Sequence, residues 1–284
     1  MLERTLECRV LDTGSCLAFE ALVVRGGAWR VVECPSLVAL IRHPREGWIL
    51  WDAGYAPRLV ECTRRFPARL YRTATPLRVR PEQCAAAQLA RLGVGARDVR
   101  HVVLSHFHAD HVAGLRDFER ATLWAREDAY ADVAGRSGFA ALRRAFVPEL
   151  LPRDFERRAQ LLPAFTGTEH DGLGATLDLF GDGSLVLVDL PGHARGQFGL
   201  RARTESGELL FAADACWMRR GYRTRRGAHW ITRLITDDDA VQAQTLERLA
   251  RFAETRPDVV VVPSHCPEAR AELVRAPRLV EVSA

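Results

Sequence analysis

The stretch Ser105-His106-Phe107-His108-Ala109-Asp110-His111 sets three imidazoles and a carboxylate within six residues, directly after a buried strand expected over 101–105. Imidazole nitrogen is a borderline ligand and carboxylate oxygen a hard one, so the cluster reads as a transition-metal site. With histidine this scarce, such a motif arises by chance in roughly one chain in two thousand of this length. The bland alternative is a run of surface or helix-capping histidines. Three later residues share the same kind of placement. His193 follows the apolar run 184–190, Asp214 follows the run 208–213, and His265 follows the run 258–262 through Pro263-Ser264. Any one of these alone reads as a turn or core residue. Four strand ends that each deliver potential ligands read as one edge of a sheet assembly building a single site, and five of the nine histidines serve it.

The elements that must position these groups follow from apolar runs and turn residues. Short β-branched runs over 21–24, 37–42 and 48–51 are separated by Gly26-Gly27, Pro44 and Gly54, which predicts strands in hairpins. The pattern over 81–92 predicts a helix, with Pro81 suited to its start and Gly93 placed to stop it. A strand over 122–125 precedes a polar, helical stretch from Arg126 to about Arg158. The second half is strand-rich, with a hairpin of 176–180 and 184–190 around Gly181-Asp182-Gly183 and another of 198–203 and 208–212 around Glu205-Ser206-Gly207. Asp237-Asp238-Asp239 supplies caps and favourable charge for a helix to about Glu254, whose apolar side is Val241, Leu246, Leu249 and Phe252. A last strand occupies 258–262. Each half runs strands first and helices after, an order satisfied by two sheets face to face with helices outside.

Composition bounds the rest. The chain has 284 residues and a net charge of +4, far from the basic stripe of a dedicated nucleic-acid binder. Apolar residues at 48% with charged residues at 27% argue for a globular protein and against disorder. No run approaches the ~20 apolar residues that span a bilayer, so no membrane partner is expected. The first ten residues carry Glu3, Arg4, Glu7 and Arg9 and lack the apolar core of a secretory signal, so a cytoplasmic protein is expected. All forty basic residues are arginine, which reads as the codon preference of a GC-rich, bacterial genome. Seven scattered cysteines with no C-x-x-C pair read as reduced thiols.

From Trp48-Ile49-Leu50-Trp51-Asp52-Ala53-Gly54 through the metal-type cluster to Pro263-Ser264-His265, the chain resembles the metallo-β-lactamase superfamily, and most of all its N-acyl-homoserine lactone lactonases, the quorum-quenching branch. The resemblance implies one domain over 1–284, a four-layer αββα sandwich of two mixed sheets with helices outside. It also implies two metal sites, with His106, His108 and His193 on one ion, Asp110, His111 and His265 on the other, and Asp214 bridging them. Asp52 resembles the family aspartate that orients a ligand from behind. Such ligands suit two Zn²⁺, and Fe, Co or Mn also fit. Two ions ~3.5–4 Å apart can share a water and bring its pKa from 15.7 to about 7, giving a hydroxide that attacks a carbonyl or phosphoryl centre. By resemblance, Asp110 also passes a proton to the leaving group. Cys216 and Cys266, beside Asp214 and His265, read as bystanders.

Two departures bear on substrate. The lactonases usually place a tyrosine three residues after the bridging aspartate; here that position is Trp217, an indole N–H donor, with Tyr222 five residues on as a second candidate. The usual second histidine of P-G-H-x-x-G-H is Gln197. The run Arg219–Arg226 reads first as a solvated loop and second as an attractor of anionic substrates. Phe107, Trp217, Tyr222 and Trp230 are candidates for an apolar pocket taking an acyl or aromatic group. The expected activity is hydrolysis of a lactone or ester carbonyl of a small molecule, with an N-acyl-homoserine lactone as one candidate and a homodimer as a compatible assembly. The alternatives are a thioester or phosphodiester hydrolase on the same scaffold and a non-catalytic metal-binding ligand sensor. A nucleic-acid substrate is disfavoured by the near-balanced charge.

Overall fold

Side-chain alternation along each strand decides what faces the middle of this molecule. The computed structural model describes residues 6–169 and 171–274, so Glu3 and Arg4 lie outside the described residues. The first sheet contains β1 (Glu7–Phe19), β2 (Val31–His43), β3 (Gly47–Trp51), β4 (Leu77–Arg78), β5 (Val99–Val103), β6 (Thr122–Arg126) and β7 (Ala159–Leu162). Their spatial order is β4-β1-β2-β3-β5-β6-β7, antiparallel as far as β3 and parallel beyond it. The second contains β8 (Thr176–Asp178), β9 (Leu185–Asp189), β10 (Phe198–Thr204), β11 (Gly207–Ala213) and β12 (Val259–Pro263), in the order β12-β11-β10-β9-β8. Only the β11–β12 pair there is parallel.

On β2 and β3 the side chains of Leu37, Ala39, Ile41, Ile49 and Trp51 enter one apolar cluster with Leu187, Phe198, Leu200, Phe211 and Val262 of the other sheet. Val38, Leu40 and Leu50 turn the opposite way, onto helices that include Ala85–Arg91, Ala109–Val112 and Glu127–Val133. On the far side, Val188, Leu210, Val259 and Val261 pack against Leu246, Leu249 and Phe252 of the helix Asp239–Thr255. The layers are therefore helix, sheet, sheet, helix, as the sequence and the resemblance predict. Asp238 caps the long helix, accepting from the backbone N–H of Ala240 and Val241 at 2.9 and 3.0 Å, while Val241 is only half-buried.

Three expectations need correction. Residues 21–24 do not form a strand; Glu20–Val23 is a helical turn inside the β1–β2 connection, where Ala28 and Arg30 both bond the Glu20 carboxylate. The strand lies upstream as β1, whose apolar alternation is broken by a register shift between Asp12 and Ser15 and so was not legible. The helix over 81–92 is two pieces, a tight turn at Pro81–Gln83 and a helix at Ala85–Arg91, because Cys84 between them is extended. The helical stretch 126–158 is likewise cut into Glu127–Val133, Gly138–Leu142 and Phe155–Arg158 by Gly135 and Gly138 at positive φ and by Pro148 and Pro152. Both predicted hairpins form. Among the described residues, no helix is long and apolar enough to cross a membrane.

Trp51 joins the two sheets, its ring 5.7 Å from that of Phe198 and 6.4 Å from that of Phe211. Trp51→Ala is expected to cost about 3–5 kcal/mol of unfolding free energy, from lost transfer and the cavity left behind. Urea denaturation followed by circular dichroism measures it, and a cost below 1 kcal/mol would mean the sheets are held together elsewhere.

Candidate metal centre

Two parallel strands of the first sheet and three co-directional strands of the second all end at one edge. β3 leads to Asp52 and β5 to Ser105-His106; β9 leads to His193, β11 to Asp214 and β12 to His265. The turns that follow are shaped for this. Asp52 has φ of 55° and Ala213, just before Asp214, has φ of 46°, a left-handed conformation that costs a non-glycine residue about 1–2 kcal/mol. Gly192 has φ of 119°, and a Cβ there would sit 2.2 Å from the backbone nitrogen of Gln242. That close approach lets Asp237 N–H donate to the His193 carbonyl and Asp238 N–H to the Gly192 carbonyl, so the start of the long helix fixes the His193 loop.

The seven candidate ligands come together in two groups. His106, His108, His193 and Asp214 form one and Asp110, His111 and His265 the other, with ligand atoms in each group within 4.8 Å of one another. Asp214 touches both. Its Oδ2 lies 3.2 Å from His193 Nε2 and 3.2 Å from His265 Nε2, and its Oδ1 lies 3.4 Å from His111 Nε2. His193 Nε2 and His108 Nδ1 point at each other across 3.0 Å. Asp110 is the most accessible carboxylate here, 14% exposed against 3% for Asp214.

The outer edges of the rings are held by groups that also set their tautomers. Asp52 accepts from Ser105 N–H, from Ser105 Oγ and from His111 Nδ1, each at 2.8 Å. Because the Ser105 hydroxyl proton is given to Asp52, Ser105 Oγ accepts from His106 Nδ1 at 2.9 Å. His265 Nδ1 donates to the Pro35 carbonyl at 2.7 Å. In the neutral form each of these three rings then turns an Nε2 lone pair inward. His106 Nε2, His111 Nε2 and Asp214 Oδ1 are buried without a hydrogen-bond partner. Leaving buried polar atoms unpaired costs about 1–3 kcal/mol each, and divalent cations are the partners that this nitrogen and oxygen set fits.

Charge reinforces the point. Burial holds the pKa values of His106 and His108 well below the ordinary imidazole value. Burial also opposes the imidazolium of His265, yet Asp214 and Asp110 push its pKa up to about 9. At His111 burial acts the same way and is overcome by Asp52, Asp214 and Asp110, which leave the ring well above its usual value. Burial would raise Asp214, but His265 and His111 hold it well below the carboxylate range. Without an ion, protons on two rings partly balance the carboxylates.

The candidates for substrate contact divide. Trp217 reaches the centre, but its indole N–H donates to Asp214 Oδ2 at 2.9 Å and is therefore spent on a candidate ligand carboxylate. With Trp230 it borders a cavity of about 100 Å³. Tyr222 does not join the centre; its side chain is buried among Cys216, Leu246, Leu249 and Phe252. Phe107 is likewise core, edge-on to Phe146 and Phe155. Gln197 donates from Nε2 to the Leu190 carbonyl at 2.9 Å and closes the His193 loop from inside. The arginine run is mostly paired, with Arg219 on Glu272, Arg220 on Glu20, Arg223 on Glu268 and Arg225 on Glu247 and Glu254. Cys216 and Cys266 stand outside both ligand groups.

Sequence reasoning missed Tyr71. It lies on the helix Arg69–Ala74, is nearly buried, and its hydroxyl donates to Asp110 Oδ1 at 3.4 Å. Nothing in the local pattern flags it, because only the tertiary path of 57–76 brings a phenol to this edge.

Comparison with known proteins agrees with this reading of the fold. Residues 31–265 match the profile of the metallo-beta-lactamase superfamily, and the chain belongs to that superfamily of metal-dependent hydrolases. An N-acyl homoserine lactonase, AttM, of Rhizobium radiobacter is 28% identical over 255 residues, covering 86% of this chain and 87% of the relative. Another, AiiB of Agrobacterium fabrum, is 26% identical over 295 residues, covering 94% and 96%. Among solved structures, an N-acyl homoserine lactone hydrolase with N-hexanoyl-L-homoserine at its catalytic metal centre superposes with a TM-score of 0.75 at 18% identity, covering 98% of this chain and all of that one. The dizinc quorum-quenching lactonase AidC superposes with a TM-score of 0.64 at 14% identity, covering 94% and 90%. At these identities the superpositions speak to the fold.

A cation entering the centre must displace the proton that His265 keeps up to about pH 9. Zinc affinity of the metal-stripped protein is therefore expected to rise at least about tenfold per pH unit between pH 7 and 9, and more steeply where the proton that Asp52, Asp214 and Asp110 favour on His111 is displaced as well. A chelator-competition titration measures this, and affinity independent of pH would remove His265 from the ligand set.

Proposed function

We propose that this protein is a binuclear zinc-dependent hydrolase that opens the ring of lactones, with N-acyl-homoserine lactones as the leading substrates and quorum quenching as the consequence. In this reading His106, His108 and His193 hold one ion, Asp110, His111 and His265 hold the other, and Asp214 faces both. The observation that carries it is the set of buried, partnerless inward atoms on His106, His111 and Asp214, within a seven-residue cage in which the outer nitrogens of His106, His111 and His265 are hydrogen-bonded. When bound, such a pair of ions supplies Lewis-acid polarisation of the substrate carbonyl and ionises water at neutral pH.

The side chains do the remainder. Asp52 and Ser105 fix the tautomers of His111 and His106, so both rings offer their Nε2 lone pairs without rearrangement. Trp217 steadies Asp214 through its indole N–H. Asp110, the more exposed carboxylate, is placed to hand a proton to the alcohol oxygen released as the acyl C–O bond breaks. Tyr71 holds the oxygen of Asp110 through which that proton passes. Water adds across the ester bond, and the products are a carboxylic acid and a free hydroxyl. The relatives named as acyl-homoserine lactonases support an acylated lactone as the substrate.

Purified protein loaded with zinc should acidify a weakly buffered solution of acyl-homoserine lactones in an indicator assay, and EDTA should abolish this. A preference for thioesters or phosphodiesters in the same panel would overturn the substrate assignment, while binding without acid release would mark a ligand sensor. His108→Ala is expected to lower zinc content and cut hydrolysis at least a hundredfold with the circular dichroism spectrum intact. Tyr71→Phe should leave zinc content unchanged and lower kcat several-fold with little change in KM; an equal loss in both would make Tyr71 a binding residue instead.

A further inference from the structure

Cys16 on β1 and Cys34 on β2 are direct Cα partners across the antiparallel ladder. Residues so paired put their side chains on the same face with Cα atoms about 4.5–5.5 Å apart. A disulfide spans 4.4–6.8 Å between Cα atoms, so the pair stands within bonding reach. The two thiols lie close enough that each is the largest influence on the other's pKa, Cys16 being lowered and Cys34 raised. Cys34 is buried and Cys16 half-buried, and neither takes part in the proposed hydrolysis.

Their position gives the pair a consequence. Cys34 is followed by Pro35, whose carbonyl holds His265 Nδ1 at 2.7 Å, and by Ser36, whose hydroxyl donates to the Asp110 carbonyl at 3.1 Å. Ser36 is tied in turn to β1, its carbonyl accepting from Thr13 Oγ1 at 2.9 Å. Three consecutive residues thus carry one thiol and two of the outer holds on the metal centre.

We propose that Cys16 and Cys34 are a peroxide-sensitive dithiol that closes to an intrachain disulfide and, through Pro35 and Ser36, loosens the grip of His265 and Asp110 on the metal. The Cys16 sulfur attacks one peroxide oxygen, the O–O bond breaks, and Cys16 becomes a sulfenic acid while one water leaves. The Cys34 sulfur then attacks Cys16, the S–O bond breaks, a second water leaves, and the S–S bond forms. Two thiols are oxidised and one hydrogen peroxide is reduced to two waters. The neighbouring Cys34 thiol holds the Cys16 thiol below its ordinary pKa, which fits Cys16 as the attacking sulfur. Bonded sulfurs stand about 2.05 Å apart, so closure draws β2 toward β1 next to Pro35.

The coupling to the metal rests on the ligand set proposed above; the disulfide itself does not. Zinc-loaded protein is treated with a few equivalents of hydrogen peroxide, alkylated, digested and mapped by mass spectrometry. The expected result is a linked peptide pair carrying Cys16 and Cys34, free thiols falling from seven to five, and full reversal by dithiothreitol. In the same samples zinc content and lactone hydrolysis should fall together, hydrolysis by about tenfold, and return on reduction. Cys16→Ser and Cys34→Ala should each keep their zinc and rate under the same treatment. Cross-links to other cysteines, or irreversible oxidation of a single thiol, would overturn the dithiol. A Cys16–Cys34 link that leaves zinc content unchanged would overturn the coupling. A link that forms and releases zinc from a protein that opens no lactone would refute the proposed activity alone.

Discussion

One buried carboxylate, Asp52, holds the first half of the centre together. It is 1% exposed, and a charge taken so far from water is tolerable only with full hydrogen bonding. Ser105 N–H, Ser105 Oγ and His111 Nδ1 provide that, and they come from the end of β5 and from the short helix behind it. The neighbouring backbone repeats the bond, since Ala53 N–H and Gly54 N–H both reach the His111 carbonyl. The ends of β3 and β5 and the turn bearing Asp110 and His111 thus become one unit. Gly114 completes it, because a Cβ there would lie 2.3 Å from the Ala53 carbonyl oxygen.

The second half is fixed by a different device. β9, β11 and β12 run the same way, so His193, Asp214 and His265 leave the sheet side by side. Their loops are then braced from outside: Gln242 Nε2 donates to the Asp214 carbonyl at 3.4 Å and Thr245 Oγ1 to the Pro191 carbonyl at 2.7 Å, both from the long helix. Left-handed backbone at Ala213 turns Asp214 across toward the first half. This strain sits immediately before the residue that faces both ligand groups, and the packing of two sheets around Trp51 and Phe198 is what sustains it.

The two halves meet through β2 as well as through the centre. Pro35 and Ser36 lie in the first sheet yet hold His265, from the second, and Asp110, from the first. A strand with no candidate ligand of its own therefore ties together His265 and Asp110, which come from different sheets but belong to one ligand group. The dithiol between β1 and β2 draws its significance from that placement.

The sequence by itself determined the candidate ligands and the order of most strands. Histidines and aspartates directly after apolar runs are legible one position at a time, and alternation plus turn residues expose hairpins such as β8–β9 and β10–β11. Asp52 was legible too, through the turn Asp52-Ala53-Gly54. What the tertiary structure alone decided is everything that depends on distance between remote segments. Tyr71 reaches Asp110, the Trp217 indole turns to Asp214, Tyr222 retreats into the core, and Cys16 meets Cys34. Local pattern records which residues face a sheet and where a strand stops, because those follow from backbone periodicity. It carries no record of which side chain meets which across the sandwich, because sheet register, irregular loops and packing set that only once the whole chain has folded.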